Sequence, residues 1–383
     1  METPWISFKV DLSKMSPSYW MLLGEGRSKC DHLANVPMSP DYARHHHVVT
    51  LTKGVHATTA IEGNTLTEQD VERIVRDSPF PASDDYRIRE VENVLRAYND
   101  VKDQIAAGNR PALTPQIIKQ FNLQVLQDLE LPTEVKPGQI REHSVVVGKY
   151  RGPDAEQCEW LLHELCSWLN SNEFVGDGPM RIPIAIIRAS LVHLYLAWIH
   201  AFADGNGRTA RLCEYLVLVT SGVPTSAAHL ISNHCNNTRD EYYRQLQYAS
   251  EIGGDVSRFL NYCATGFVKE LHEQLNSVYA RQFRLTWSEY VGAQVPGRDL
   301  VIRERRRLIA EELFGRSVAA ERVASLSPDL ARTYAHVTTK TLARDLEELT
   351  KVGLLLRAEG LYTANTRVLL DFLPLAVPDE ATP

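Results

Sequence analysis

From Ile182 to Trp198 apolar residues recur at helical spacing (Ile186, Ala189, Leu191, Leu194, Tyr195, Trp198), which predicts a mostly buried helix. The pattern resumes from Arg208 to Val219 and stops at Ser221-Gly222-Val223-Pro224. Two helices therefore flank a short glycine-containing loop. Helical periodicity also runs from Val71 to Ala107 (Val71, Ile74, Val75, then Ile88, Val91, Val94, Leu95, Tyr98), broken by the polar segment Asp77 to Asp85. Thr114-Pro115 supplies an N-cap and first helical residue for a helix from Gln116 to Leu129. Helices are further predicted over Glu156 to Leu169, Asn233 to Ser250 and Leu275 to Glu289. Thr58 to Glu62 reads as a helix end closed by Gly63 or Asn64, with Thr67 and Asp70 forming a capping box for the next helix. Residues before about 40 carry scattered aromatics (Trp5, Phe8, Tyr19, Trp20) without clear period and are expected to form an arm packed on the body.

Two places depart from this helical pattern. The β-branched run Val145-Val146-Val147, set between Gly138 and Gly148, predicts a short hairpin. After a boundary at Gln294-Val295-Pro296-Gly297, helices are expected over Leu300 to Phe314, Val318 to Leu326 and Thr338 to Val352, followed by a strand, turn and strand to Thr363. The expected fold class is mainly α.

The 383 residues suffice for two or three domains, and 44% apolar with 23% charged residues is ordinary for a globular protein. A net charge of −7 argues against a generic nucleic-acid coat. Six cysteines without a Cys-x-x-Cys pair read as buried thiols in a reducing compartment, hence a cytoplasmic protein. The start Met-Glu-Thr-Pro-Trp lacks a basic region leading into an apolar run, and Arg188, His193 and His200 interrupt the longest apolar helix, so neither a signal peptide nor a membrane span is expected. His45-His46-His47 is a poor metal tract, because adjacent side chains on a helix point apart.

Candidate chemistry lies in the loop between the two apolar helices. Gly205 and Gly207 let an anion approach backbone N–H groups at a helix start. Arg208 and Arg211, three apart, project to one side. Asp204 offers a carboxylate for a hard cation, and Mg²⁺ typically binds through one or two carboxylates plus substrate phosphates. His200, with an unperturbed pKa of about 6.5, is a candidate general base. Taken singly, the histidine also suits a packed capping residue and Asp204-Gly205-Asn206-Gly207 a plain turn.

From His200 to Arg211 the chain resembles the Fic family, whose motif His-x-Phe-x-Asp/Glu-Gly-Asn-Gly-Arg-x-x-Arg is matched at every specified position. The resemblance implies a Fic-type helical bundle that transfers AMP from ATP to a Ser, Thr or Tyr hydroxyl of a target protein, the chain itself among the candidate targets. It implies nucleotide contacts from Asp204, Gly205, Asn206, Gly207, Arg208, Thr209, Ala210 and Arg211, with Mg²⁺ at Asp204. Thr58, Glu62 and Gly63 match the family's inhibitory motif Ser/Thr-x-x-x-Glu-Gly/Asn, in which the glutamate pairs with the second arginine, here Arg211. The family's flap, Gly-x-x-Arg then Val-x-Val/Ile-Gly, corresponds to Gly138, Arg141 and Val145-Val146-Val147-Gly148, an edge for main-chain capture of the target. Tyr242 and Tyr243 resemble the family's pair beside the adenosine pocket, where the family's following Asn is Ser250 here.

The implied layout is an N-terminal helical region over 1–110 with its inhibitory helix around 50–64, a Fic core over 111–290 with the flap at 138–150, and a winged helix-turn-helix domain over 298–375. In the last, Thr338 to Thr350 would be the recognition helix; Lys340 and Arg344 suit phosphate, whereas Asp345, Glu347 and Glu348 oppose it, so DNA binding and a protein-contact or dimerisation role both stay open. Three other activities remain open as well: AMP removal by the same site, a different nucleotide donor, and a DNA-binding regulator with a nucleotide-sensing body.

Overall fold

The computed structural model describes residues 5–76, 86–147 and 150–371. The interruption expected at Asp77 to Asp85, the flap residue Gly148 and residues 372–375 of the expected C-terminal domain lie outside the described residues. The chain divides into two compact units, Met1–Leu275 and Asn276–Pro383.

In the first unit, α1 (Pro17–Asn35), α2 (Pro40–Ala60) and α5 (Pro115–Val125) each begin with a Ser or Thr whose side chain accepts an N–H of the first turn, followed directly by proline. Between them lie α3 (Glu68–Val75), which forms the capping box predicted at Thr67 and Asp70, and α4 (Tyr86–Ala106). The strands β1 (Val146–Val147) and β2 (Tyr150–Arg151) pair antiparallel, Val146 opposite Arg151 and Val147 opposite Tyr150. Then come α6 (Ala155–Leu169), α7 (Arg181–Ile199), α8 (Asn206–Thr220), α9 (Leu230–Asn237), α10 (Arg239–Glu251) and α11 (Ser257–Gln294). The division between the units falls within α11.

The first unit is built around α7. From Ile182 to Ile199 its residues are buried on all sides apart from the half-buried Arg188 and Ala197, as expected for a helix apolar all round. Gly178–Ile199 is also the one described helix long and apolar enough to cross a bilayer, yet 89% of its most apolar window is buried in protein. Helix α8 turns back along α7, and α2 reaches the same core by close approach: a Cβ at Gly54 would lie 2.4 Å from the His229 ring. That ring stacks on Tyr215 at 4.7 Å and meets Tyr98 edge-on at 4.6 Å. Burial pushes His229 down to about 3, so it is neutral. All six cysteines are free and buried, and burial raises Cys30 and Cys166 to about 12, which keeps both as inert thiols.

The second unit runs α12 (Leu300–Glu312), β3 (Ser317–Ala319), α13 (Ala320–Val323), α14 (Pro328–Tyr334), α15 (Thr339–Lys351), β4 (Leu355–Ala358) and β5 (Leu361–Ala364). Its sheet is antiparallel in the order β3-β5-β4 and packs over Ile309, Leu313, Leu330, Leu346 and Leu349.

Several elements differ from their expected form. The N-terminal arm contains α1, which buries Tyr19, Leu23, Cys30 and Leu33 at helical spacing; Gly24, Gly26 and the exposed Met21 obscure the stripe in the sequence. The helix expected over Val318 to Leu326 is a strand and a single turn, because Val318 pairs with Tyr362 in β5; the helix lies further on, started by Ser327-Pro328. The helix expected from Asn233 to Ser250 breaks at Thr238, whose hydroxyl donates to the His234 carbonyl at 2.7 Å. The helix from Thr114 ends at Val125 rather than Leu129, with Asp128 in the left-handed region at φ 55°.

Candidate active site

The reversal from α7 to α8 takes two left-handed residues, His200 at φ 46° and Gly205 at φ 77°. A histidine in that region carries roughly 1–2 kcal/mol of backbone strain, which the surrounding contacts must hold in place. Arg141 holds it: its Nε donates to the His200 carbonyl at 2.8 Å, its backbone N–H to Ala201 O at 3.0 Å, and its Nη1 and Nη2 to the carbonyls of His143 (2.6 Å) and Pro153 (2.5 Å). The base of the hairpin and the loop are thus one structure. Burial, helped by the Arg141 charge, lowers the His200 pKa against the pull of Glu62 and Asp204, so the imidazole is neutral near pH 7.

Asn206 shapes the loop from within. Its Oδ1 accepts Phe202 N–H at 3.0 Å and its Nδ2 donates to Phe202 O at 2.7 Å, so the amide is occupied by the loop backbone. From outside, Asn122 of α5 donates to Asp204 O at 2.9 Å and to Thr209 Oγ1 at 3.3 Å, and accepts Gly138 N–H at 2.9 Å. Thr209 and Ala210 are buried in the packing of α8. Asp204 accepts Arg208 Nη2 at 3.0 Å and Gly205 N–H at 2.5 Å; its side chain is 38% exposed. Among the described residues no three His, Cys, Asp or Glu side chains form a metal cage. One exposed carboxylate beside an anion loop is the donor set that suits Mg²⁺ held jointly with phosphates.

The two motif arginines point inward and meet acids from distant helices. Arg211 is fully buried; its Nη2 donates to Glu62 Oε1 at 2.5 Å and to the Thr58 carbonyl at 2.9 Å. Its Nε and Nη1 have no partner among the described residues. Desolvation alone would raise the Glu62 carboxyl, but the Arg211 charge and hydrogen bond override it and hold it below the usual range. The carboxylate lies over the first turn of α8, since a Cβ on Gly207 would sit 2.0 Å from Glu62 Oε1. Arg208 Nη1 donates to Glu90 Oε1 at 2.7 Å, and its Nε is likewise buried and unpartnered.

The remaining sequence-predicted residues fall in three places. Val145 is half-buried, its carbonyl accepting Gly152 N–H at 3.2 Å, while Val146 is 67% exposed on β1 and Val147 completes that strand. Tyr242 lies inside, its hydroxyl bonded to His193 Nε2 at 2.9 Å, in a buried chain that continues through His193 Nδ1 to Glu214 at 2.6 Å and from Ser232 to Glu214 at 3.1 Å. Tyr243 is 48% exposed, and its hydroxyl donates to the Ile61 carbonyl at 3.4 Å; Arg239 donates to the same carbonyl. Ser250 turns back to Gln247 O at 2.8 Å. Glu90, Asn122 and the anchoring of His200 by Arg141 were not read from the sequence as parts of the site. Their one local signal is a buried-type position carrying a polar residue in an apolar stripe, as at Glu90 between Ile88 and Val91.

An antiparallel helix pair joined by a His-to-Arg loop, with a hairpin at its side, defines the Fic fold. The structure of a Fic family protein from Desulfovibrio desulfuricans G20 superposes with a TM-score of 0.57 at 19% identity, covering 92% of this chain and 97% of that one. Fic-1 (aa134 - 508) from C. elegans gives 0.54 at 22% identity over 69% and 74%. Residues 112–218 match the Fic/DOC family, so this chain carries a Fic domain. Proteins named protein adenylyltransferase fic-1 from Caenorhabditis briggsae and Caenorhabditis elegans are each 29% identical over 211 residues, which is 55% of this chain and 38% of theirs. The chain thus spans about two fifths of the length of those relatives.

Proposed function

We propose that this chain is a protein adenylyltransferase, transferring AMP from ATP to a Ser, Thr or Tyr hydroxyl of a protein, and that Glu62 keeps it at low activity. The observation that carries this reading is the convergence, on one turn of α8, of two buried arginines with unpaired N–H groups, an anion-binding backbone and a neutral imidazole.

In this mechanism the N–H groups at the start of α8 receive the α-phosphate. Arg208 receives the β-phosphate and Arg211 the γ-phosphate. Asp204 would hold Mg²⁺, which when bound supplies charge neutralisation on the phosphates. His200 accepts the proton of the target hydroxyl as that oxygen attacks the α-phosphorus; the bond to the β-phosphate oxygen breaks and pyrophosphate leaves. Asn206 and Arg141 keep the loop and the imidazole in place, so most of the rate comes from positioning and electrostatics. The exposed β1 edge around Val146 captures the target backbone, and the Tyr243 ring borders the adenine.

Glu62 occupies the γ-phosphate position on Arg211 and overlies Gly207, so nucleotide and glutamate compete for one guanidinium. The second unit, with helices and a β-wing in the order of a winged helix, serves protein contact, including pairing of two copies, in preference to duplex binding, because Glu347 shares the exposed face of α15 with Lys340 and Arg344. Six free, buried thiols support a cytoplasmic setting.

The test is transfer from ATP labelled at the α-phosphorus. Wild type is expected to label itself and lysate proteins weakly, Glu62→Gly strongly, and Glu62→Gly with His200→Ala about 10²–10⁴-fold less than Glu62→Gly. Equal labelling with and without His200 removes the base from the mechanism. Release of AMP from a modified target by wild type, lost in Glu62→Gly, would instead favour the reverse reaction.

A further inference from the structure

The proposed function leaves the surroundings of Arg208 unexplained. Arg208 is 3% exposed and is held at two points, Nη1 on Glu90 Oε1 at 2.7 Å and Nη2 on Asp204 Oδ1 at 3.0 Å. Glu90, in the second turn of α4 and 3% exposed, has its other oxygen, Oε2, on Asn64 Nδ2 at 2.7 Å. Asn64 is itself fixed: Nδ2 also donates to Arg87 O at 2.9 Å, and Oδ1 accepts Leu66 N–H at 3.0 Å. It follows Gly63 and Glu62 in the turn that ends the inhibitory helix. One carboxylate, using one oxygen for each, therefore joins the Arg208 guanidinium to the turn that carries Glu62.

A buried pair of this kind would also serve merely to fasten α4 to α8. Two features argue for more. The Arg208 Nε is buried and has no partner among the described residues, a costly arrangement unless an oxygen from a ligand or water meets that group. The two acids also differ in freedom. The Glu62 side chain is 33% exposed and stands just beyond a helix end, whereas the Glu90 side chain is 4% exposed within a helix. Glu62 is placed to leave its arginine; Glu90 is placed to stay.

We propose that Glu90 is a positioning residue for the β-phosphate: it presents Arg208 with the Nε N–H unspent and, through Asn64, keeps the Glu62 turn in register with that arginine. This rests on the nucleotide reading of the site given above.

The experiment is calorimetric titration of full-length Glu62→Gly with AMP, ADP and ATP in Mg²⁺, repeated with Glu90→Gln added. Gln keeps the shape but turns an amide NH₂ towards Arg208 or Asn64, both donors. ADP and ATP are expected to bind about tenfold more weakly, the scale of one impaired charge-assisted bond, while AMP, which lacks a β-phosphate, changes by less than about twofold. If Glu90→Gln does not fold, Asn64→Ser removes one hydrogen bond from the same carboxylate and is expected to give the same pattern at about threefold. Equal weakening of all three nucleotides, or no weakening of ADP, overturns the proposal and leaves Glu90 as a fastening. If Glu62→Gly alone binds ATP no better than AMP, the reading of the phosphate site fails first, and the proposal with it.

Discussion

Each unit of the molecule buries an arginine and carboxylate cluster, and the two are built differently. In the second unit Asp345 is fully buried; Oδ2 accepts Arg305 Nε at 2.7 Å and the Tyr334 hydroxyl at 2.9 Å, and Oδ1 accepts Arg306 Nε at 2.8 Å. Arg306 Nη1 goes on to the Pro296 carbonyl at 2.8 Å, and no buried polar atom of this cluster is without a partner among the described residues. In the first unit Arg208 and Arg211 are just as buried, but three of their N–H-bearing nitrogens have no partner among the described residues. A closed cluster ties its helices together. An open one leaves donors for an incoming ligand or for ordered water, and that remainder separates a site from a fastening where burial and charge are alike. The contrast also corrects the charge count for α15: Asp345 is not on its outer face but supplies the inner pairing for α12 and α14.

The largest effect expected from breaking the contrast is on the closed side. Asp345→Ala strands two arginine charges and should cost about 3–5 kcal/mol in urea unfolding of the second unit. Nucleotide binding by Glu62→Gly should be unaffected by that change. Opening the other cluster further, Glu62→Gly should bind ATP about 10–100-fold more tightly than wild type, because one charge-assisted competitor for Arg211 is gone. Titration calorimetry reads this directly, and equal affinities would show that Glu62 does not compete.

Gly54→Ala tests how firmly Glu62 is seated. The added Cβ meets the His229 ring at 2.4 Å, so α2 or the ring must shift, at about 1–3 kcal/mol in chemical denaturation. If the seat depends on α2 packing, AMP transfer rises while stability falls; transfer unchanged at lowered stability would uncouple the two.

The smallest effects come from pH. His200 acts as a base only when neutral, and its pKa lies below 6.5, so transfer should be flat above neutrality and fall tenfold per unit once pH drops through that lowered value. Stability of the first unit should decline from pH 6.5 towards 3, because unfolded His229 takes up a proton that the folded ring, at about 3, refuses. Asp345 behaves otherwise. Burial raises it, but hydrogen bonds from Arg305, Arg306 and Tyr334 bring it below 3.8, so its contribution is complete above that value and is lost only as pH falls through the lower folded one. Transfer and unfolding of the second unit, followed in parallel from pH 8 to 3, should therefore fail in that order.

The helix pair around the loop, the Thr114-Pro115 helix start and the capping box at Thr67 are legible in the chain because each depends on residues within about one or two turns of each other. The loop residues from His200 to Arg211, and the spacing of Thr58 and Glu62, are legible for the same reason. Local spacing says nothing about what a side chain meets across the fold. The pairing of Glu62 with Arg211 spans 149 positions, that of Glu90 with Arg208 spans 118, and Arg141 reaches His200 across 59. The resemblance to a family anticipated the first of these, whereas Glu90 was marked only by its place in the apolar stripe of α4, which does not say what it meets. Tyr242 and Asn206 were expected at the nucleotide site, and the tertiary structure engages the Tyr242 hydroxyl with His193 and the Asn206 amide with the loop backbone. The sequence by itself determined the helix pair and most of the other helices, though not α1 or the strand at Val318, and it marked where a glycine turn would be followed by two arginines. Only the tertiary structure decided which donors were used up and which were left over, because that depends on which side chains of different helices are brought within hydrogen-bond reach of one another.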